Sequence, residues 1–413
     1  MKVLRLNAYY LPEKTASAHL FIDMNNAFEQ AGIDCTIITP IPSRGIDKQT
    51  EKKYAKRIIE KTNNGYITVK RFPLIKEKKN PILRAIRYFI MNLKEYYIAI
   101  KEKEVDVVFS SSTPPTQGFL SAIVAKKLSK KYKKKVSFVY NLQDIFPDSL
   151  VYAGMTKEGS FIWKFGRWIE NYSYQHADKI IVINEGFKKN LLEKGVLEEK
   201  ISIVSNWIDL ETVHPVERKN NKLINEFGLD LNKYIVVYAG NFGAAQGAEI
   251  IVKVAKKLEY LEDIQFVIFG GGPYFERTKM DVKNLKNVFI HELLPQDRIS
   301  EVYSLGDIAL IICKKGTGKA AMPSKTWSIM ACNTSIIASF DIDSDLANVM
   351  KKSGAGVCVE PENTEELTNA ILEAYIKRDR CESNLREYVD RNASKLVCVQ
   401  RYIDIINGEL SRG

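Results

Sequence analysis

The chain predicts an α/β protein built from two doubly wound, Rossmann-like domains, each a parallel sheet with helices on both faces. Three observations carry that prediction. At 413 residues the chain exceeds one comfortable core, so two domains of about 200 residues each are expected. Hydrophobic residues at 45% and charged residues at 27% fit an ordinary folded α/β protein. Short apolar runs alternate with helical periodicity from end to end, and that rhythm calls for parallel strands joined by crossover helices.

In the first half, strand-like runs fall at Lys2–Asn7, Asp34–Thr39, Tyr66–Arg71, Asp106–Ser110, Val136–Tyr140, Lys179–Ile183 and Lys200–Val204. Helical patterns fill gaps at Ser17–Gln30, Gln117–Ser129 and Phe161–Gln175. The second half repeats the rhythm with Tyr234–Ala239, Gln265–Phe269, Asn287–Ile290, Asp307–Ile312, Ser335–Ala338 and Gly356–Val359. Periodicity lapses between Asn206 and Asn221, where Pro215 punctuates the chain. The expected domains are therefore 1–210 and 211–390, with a closing helical segment at 391–413 that packs back on the first domain. Open α/β sheets bind ligands beyond the carboxyl ends of their strands, so the site is expected in a cleft between two facing sheets.

Charge separates the halves. Residues 1–205 carry 35 Lys+Arg against 21 Asp+Glu, and the remainder carries 26 against 29. Such asymmetry points to a polyanionic surface facing the first half. The segment Lys76–Lys101 reads as an amphipathic helix with Ile82, Ile86, Phe89, Leu93 and Tyr97 on its apolar face. Arg84 and Arg87 are interleaved beside Tyr88 and Phe89, a make-up suited either to a core-facing stripe or to a membrane interface. Seven lysines between Lys126 and Lys135 favour anionic lipid, and the sequence has no nucleic-acid-binding motif. No run of about 18 apolar residues occurs, and the N-terminus lacks a signal-peptide pattern. A cytoplasmic protein, peripheral on the inner face of the plasma membrane, is expected. The six cysteines form no C-x-x-C pair and the four histidines are scattered, so neither a disulfide frame nor a metal site is expected.

Site motifs sit at predicted strand ends. The stretch from Gly306 to Asp341 runs strand, Lys- and Gly-rich loop, then a helix expected to start at Pro323. A helix N-terminus with free amides, crowded by Lys315, Lys319 and Lys325, is an anion site suited to a pyrophosphate. Thr317-Gly-Lys319 is not a P-loop, because Ala320 stands where Ser or Thr is needed. After the first strand of the second half comes Tyr238-Ala-Gly-Asn-Phe-Gly-Ala-Ala-Gln-Gly247, whose glycines permit close backbone approach to a ligand or serve only the turn. Phe269-Gly-Gly-Gly-Pro273 ends the next strand, with the same two readings. Asp144, in Asn141–Asp148, is placed to accept a proton or hold a hydroxyl, or else to cap a turn. Tyr9–His19 follows the first strand; its small residues allow ligand approach, and His19 is either packed in the helix or catalytic.

Taken in order, YYLPEKTASAH, SSTPPTQG (Ser111–Gly118), DIFPDS (Asp144–Ser149), IVSNWIDLETVHP (Ile203–Pro215), YAGNFGAAQG, FGGGP and PSKTWSIMACNTSIIAS (Pro323–Ser339) resemble glycosyltransferase family 4. That family comprises retaining nucleotide-sugar transferases of the GT-B fold. The variants look most like the branch that adds sugars to polyprenol-diphosphate carriers in bacterial surface polysaccharides. The resemblance implies a donor NDP-sugar, taken as a UDP-sugar with an N-acetylated amino sugar among the candidates, and no metal or other cofactor. It implies donor contacts from Gly240, Asn241, Gln246, Gly270, Gly271, Gly272, His291, Leu293, Lys319, Pro323, Ser324 and Lys325. Acceptor contacts would come from Glu13, Lys14, Thr15 and Ser17, with Asp144, Lys325 and His19 in catalysis. Two departures stand out. Many members carry two glutamates where this chain has Ala320 and Ser328, and Arg and Lys where it has Asn241 and Gln246. Lys325, Lys319 and Lys315 are the compensating cations. A nucleotide-sugar 2-epimerase and a non-catalytic homologue are the alternatives on the same architecture.

Overall fold

The computed structural model describes residues 1–13, 18–76, 80–152, 155–318, 322–377 and 384–408. The chain divides into two compact units, residues 1–205 with the C-terminal stretch from Cys398, and residues 206–397. The first division falls after Ser205, not after 210. The second falls inside the last helix, Lys395–Gly408, not at 391. In that helix Tyr402 donates to Asn141 Oδ1 at 3.0 Å and its ring meets Phe109 edge-on. Two buried polar and aromatic contacts thus tie the chain's end to the first sheet.

The first unit holds β1 (Lys2–Leu6), β2 (Asp34–Pro40), β3 (Ile59–Thr62), β4 (Ile67–Phe72), β5 (Val107–Ser111), β6 (Ser137–Leu142), β7 (Lys179–Val182) and β8 (Ile201–Ile203). Their order is β3-β4-β2-β1-β5-β6-β7-β8. Every pairing is parallel except β3 with β4. Residues of β1, β2 and β6 are buried almost without interruption, as expected when helices cover both faces of a parallel sheet. The edge strand β3, Ile-Glu-Lys-Thr, carries no apolar run and escapes a reading based on apolar periodicity.

Three helices, Pro81–Ala99, Thr116–Tyr132 and Phe161–His176, lie side by side in the first unit. The first overturns the expected core-facing stripe and removes Arg87 from the set expected to face a membrane. Its buried row is Arg87, Met91, Glu95 and Ala99, spaced by four residues, whereas Ile86, Phe89, Leu93 and Tyr97 are exposed. Arg84 and Phe89 face outward, but Arg87 is only 2% exposed and Tyr88 is partly buried. The physical reason is polar. Arg87 Nε donates to Ile75 O at 3.0 Å, its guanidinium lies over the Tyr9 ring, and Tyr88 Oη stands 3.1 Å from Tyr9 Oη. Glu95 accepts from Gln117 Nε2 at 2.8 Å, and burial pushes its carboxyl up to about 8. Among the described residues, no helix is long and apolar enough to cross a membrane.

The second unit holds β9 (Tyr234–Asn241), β10 (Ile264–Gly271), β11 (Val288–Glu292), β12 (Ile308–Ile312), β13 (Ser335–Ser339) and β14 (Gly356–Val359), in the order β11-β10-β9-β12-β13-β14. All are parallel. The chain winds outward from β9 to β11, then returns to place β12 on the other side of β9. That reversal is the topological switch point where doubly wound sheets open toward ligands.

Candidate functional site

The switch point is opened by a short ladder. β9 pairs with β10 through eight residues, from Tyr234 to Asn241, but with β12 through only Val236 and Val237. Ile235 O accepts from Asp307 N on the β12 side, and by alternation Ala239 O faces the same side beyond the end of the ladder. Lys325 fills the gap. Its Nζ donates to Ala239 O at 2.8 Å and lies 4.7 Å from the centre of the Tyr238 ring. No carboxylate among the described residues pairs with this ammonium. Although the side chain as a whole is only half-buried, desolvation around the ammonium lowers its pKa to about 8.

Lys325 also begins the helix Lys325–Ala331, two residues later than the expected start at Pro323. Pro323 O accepts from Thr326 N, and Ser324 is exposed with no side-chain capping bond. The preceding loop is held by Asp341, which is 4% exposed at the end of β13; its two oxygens accept from Gly316 N at 2.9 Å and Gly318 N at 2.8 Å. Thr317 Oγ1 donates to Lys314 O at 2.7 Å, and Lys314 N donates to Ala245 O, joining this loop to the one after β9. Of the three expected lysines, Lys325 enters the switch point and Lys315 is exposed on the loop. Lys319 lies outside the described residues.

The glycines divide by role. A Cβ on Gly240 would stand 2.5 Å from Lys325 Nζ, so this position must be bare for the ammonium to reach Ala239. Gly272, with φ +110°, carries the chain past the Asn241 side chain. Gly270 is different: a Cβ there would meet Phe275 and Phe242 at 2.5 and 2.6 Å, so aromatic packing accounts for its conservation of space. Gly271 leaves ordinary contact distance to Leu293. Asn241 Nδ2 reaches Gln246 Oε1 at 3.5 Å, closing the loop after β9 with neutral groups.

At the end of β11, His291 stacks on Phe227 with centroids 3.9 Å apart, and burial lowers its pKa. Its Nε2 is buried without a hydrogen-bond partner. Leu293 N donates to Gly270 O, and the Leu293 side chain is half exposed beside Gly271. The second unit therefore gathers Gly240, Asn241, Gln246, Gly271, Gly272, Leu293 and Lys325 at the carboxyl edge of one sheet.

In the first unit, Asp144 follows β6. Ser112 Oγ accepts from both Gln143 N and Asp144 N, which fixes the turn, and Ser149 Oγ donates to Asp144 Oδ2 at 3.2 Å. Asp144 keeps solvent contact, yet the protein around its carboxyl raises the pKa by desolvation. His19 is exposed in the first turn of the helix Ala18–Gln30. Glu13 is 4% exposed; its carboxylate accepts from Ser43 N, Arg44 N and Tyr10 N at 2.8, 2.9 and 3.2 Å. Three amides occupy this carboxylate, which corrects its expected place among acceptor-contacting groups: it staples the loop after β1 to the loop after β2. Lys14, Thr15 and Ser17 lie outside the described residues. Sequence reasoning gave no role to Tyr238, Ser112 or Asp341. For Asp341 a signal existed, an acid directly after an apolar strand in a site-bearing stretch.

A desolvated cation beside bare glycines at the switch point of a doubly wound sheet is suited to an anionic ligand, on a chain of two α/β units. Two family models match: Glycosyltransferase Family 4 over residues 18–212 and Glycosyl transferases group 1 over residues 219–396. The chain belongs to glycosyltransferase family 4 and is a glycosyltransferase. It is 24% identical over 421 residues to the putative colanic acid biosynthesis glycosyl transferase WcaI of Escherichia coli, covering 99% of this chain and 100% of that one. It is also 24% identical to the probable glycosyltransferase WbjE of Pseudomonas aeruginosa, over 82% of this chain and 84% of the relative. Among solved structures, Anabaena Alr3699/HepE in complex with UDP superposes with a TM-score of 0.71 at 14% identity, covering 99% and 100% of the two chains. That likeness is of fold, and the fold is GT-B.

Proposed function

We propose that the protein transfers a sugar from a UDP-sugar to a hydroxyl of a saccharide carried on polyprenol diphosphate, in the assembly of a bacterial surface polysaccharide. The observation that carries this reading is the Lys325 ammonium at the switch point, without a carboxylate and beside a backbone bared by Gly240. Glycosyl transfer from a nucleoside diphosphate chiefly requires stabilising the departing diphosphate, and a fixed cation with nearby amides supplies that without a metal. The UDP in the Anabaena neighbour supports the donor, and the colanic acid named for the Escherichia coli relative supports the pathway class. On this reading Leu293 and His291 border the base, Lys325 holds the phosphates, and Asp144 faces the acceptor hydroxyl. The sugar is transferred with retention, the leaving phosphate receiving the acceptor's proton. The protein acts at the cytoplasmic membrane surface, where such an acceptor resides.

The test is direct. UDP should stabilise the protein against heat, and one of a panel of UDP-sugars should be consumed only when a prenyl-diphosphate saccharide is present. Conversion of the donor sugar without acceptor would indicate an epimerase. A Lys325→Ala protein with unchanged UDP affinity and full transfer rate would overturn the assignment.

A further inference from the structure

A further exposed apolar row of the first unit lies on the helix Phe161–His176 and the segment before it. Met155, Phe161, Ile162, Phe165 and Trp168 are 68%, 84%, 56%, 54% and 53% exposed. Scattered exposed hydrophobics are ordinary, but a contiguous set of large ones marks an interaction surface. Phe161, Phe165 and Trp168 follow at helical spacing on one face; Phe165 stacks on Trp168 with centroids 6.0 Å apart, and Trp168 meets Phe119 of the adjacent helix at 5.1 Å.

Their exposure is enforced from the other side of the helix Phe161–His176. Glu170 is 5% exposed, accepts from Lys194 Nζ at 2.8 Å and Tyr174 Oη at 2.9 Å, and pairs with Arg167. Asp148 joins the same network, 2.5 Å from Arg167 and 2.8 Å from Lys194. Rotating the helix to hide Phe161 and Phe165 would break a buried ion network, so the apolar row is held outward.

We infer that Met155 and the helix Phe161–His176 form a wedge that enters the interface of an anionic membrane. The inference rests on the reading of the acceptor as lipid-borne. Charge selects the occupant. The same segment exposes Lys157 and Lys164 alongside Glu158, and Lys164 lies one turn from both Phe161 and Trp168. Apolar aromatics with a Trp, interleaved with lysine, match the acyl boundary and headgroups of anionic lipid. A second copy would bring together two surfaces of the same positive sign, at a cost in repulsion.

The experiment uses the full chain with vesicles of phosphatidylglycerol and phosphatidylethanolamine, and with phosphatidylcholine alone. The protein should float with the anionic vesicles, with a blue shift of tryptophan emission that Trp168→Phe removes. A Phe161→Ser/Phe165→Ser protein should partition about ten-fold or more weakly, since each lost aromatic forfeits a large apolar burial. Its thermal stabilisation by UDP should be unchanged, which verifies that it is folded. Wild-type partitioning by that variant overturns the wedge. So does loss of flotation in Phe89→Ser/Leu93→Ser alone, or a wild-type dimer that the Phe161→Ser/Phe165→Ser change dissociates while vesicles bind neither protein. Failure of UDP to stabilise the wild-type protein would strike the transferase reading instead, because flotation needs no donor.

Discussion

Gly240 is bare because Lys325 needs the space: the ammonium occupies the volume that a Cβ on residue 240 would take, 2.5 Å away. Strand β9 and the helix that follows the loop after β12 are thereby matched at one atom. A Gly240→Ala protein should fold, since the obstructed group is the end of a flexible side chain, but the ammonium should be displaced from Ala239 O. UDP affinity is expected to fall about ten-fold, the worth of about one weakened charge-assisted contact. Isothermal titration against the wild type checks this, and equal affinities would separate Gly240 from the anion site.

Lys325 gives the site a pH dependence. Desolvation lowers its pKa to about 8, so in the free protein it loses its proton as pH rises through that value. The charged form is the one that costs folding free energy below about 8, and a bound diphosphate relieves that cost. UDP should therefore bind best below about pH 8 and weaken by about ten-fold per unit above it. Lys325→Met should bind weakly throughout, with that slope lost. A wild-type affinity flat from pH 7 to 9.5 would show that the ammonium does not meet the phosphates.

Asp341 acts on the loop and not on the ligand. Removing its carboxylate strands the amides of Gly316 and Gly318. Asp341→Ala should cost about 2–4 kcal/mol of stability, two lost charge-assisted bonds with partial relaxation. Donor affinity should fall as well, whereas Asp341→Asn should recover part of both. Denaturant unfolding with and without UDP distinguishes this from a purely local effect.

Glu13 should behave as a staple. Glu13→Ala leaves three amides without their acceptor, so a loss of about 2–4 kcal/mol is expected. UDP affinity at the second unit should be unchanged. A Glu13→Ala protein of wild-type stability with lost transfer would return this carboxylate to the acceptor site.

Legibility differed by kind of feature. The alternation of apolar strands and helices was readable because fully buried parallel strands, such as Phe138–Tyr140 in β6 or Ile235–Tyr238 in β9, run apolar without interruption. Strand β3 was not, because an edge strand needs no apolar run. Lys325 was legible as a cation at the strand ends from its place after a strand and a glycine loop. Gly270 and Gly272 sit side by side in one motif, yet one faces the Phe275 ring and the other the Asn241 side chain; spacing alone cannot separate those roles.

The helix Pro81–Ala99 shows the limit most clearly. Its sequence offers an apolar row and a mixed row, and periodicity favours burying the apolar one. The fold buries Arg87 and Glu95 instead, because Ile75 O, the Tyr9 ring and Gln117 offer them partners. The sequence by itself determined the two doubly wound sheets, their strand ends and the cation at the second one, since burial of strands and the placing of glycines are local demands on residue type. Tertiary structure alone decided which face of each helix looks outward and which polar groups are already satisfied, since those depend on partners distant along the chain.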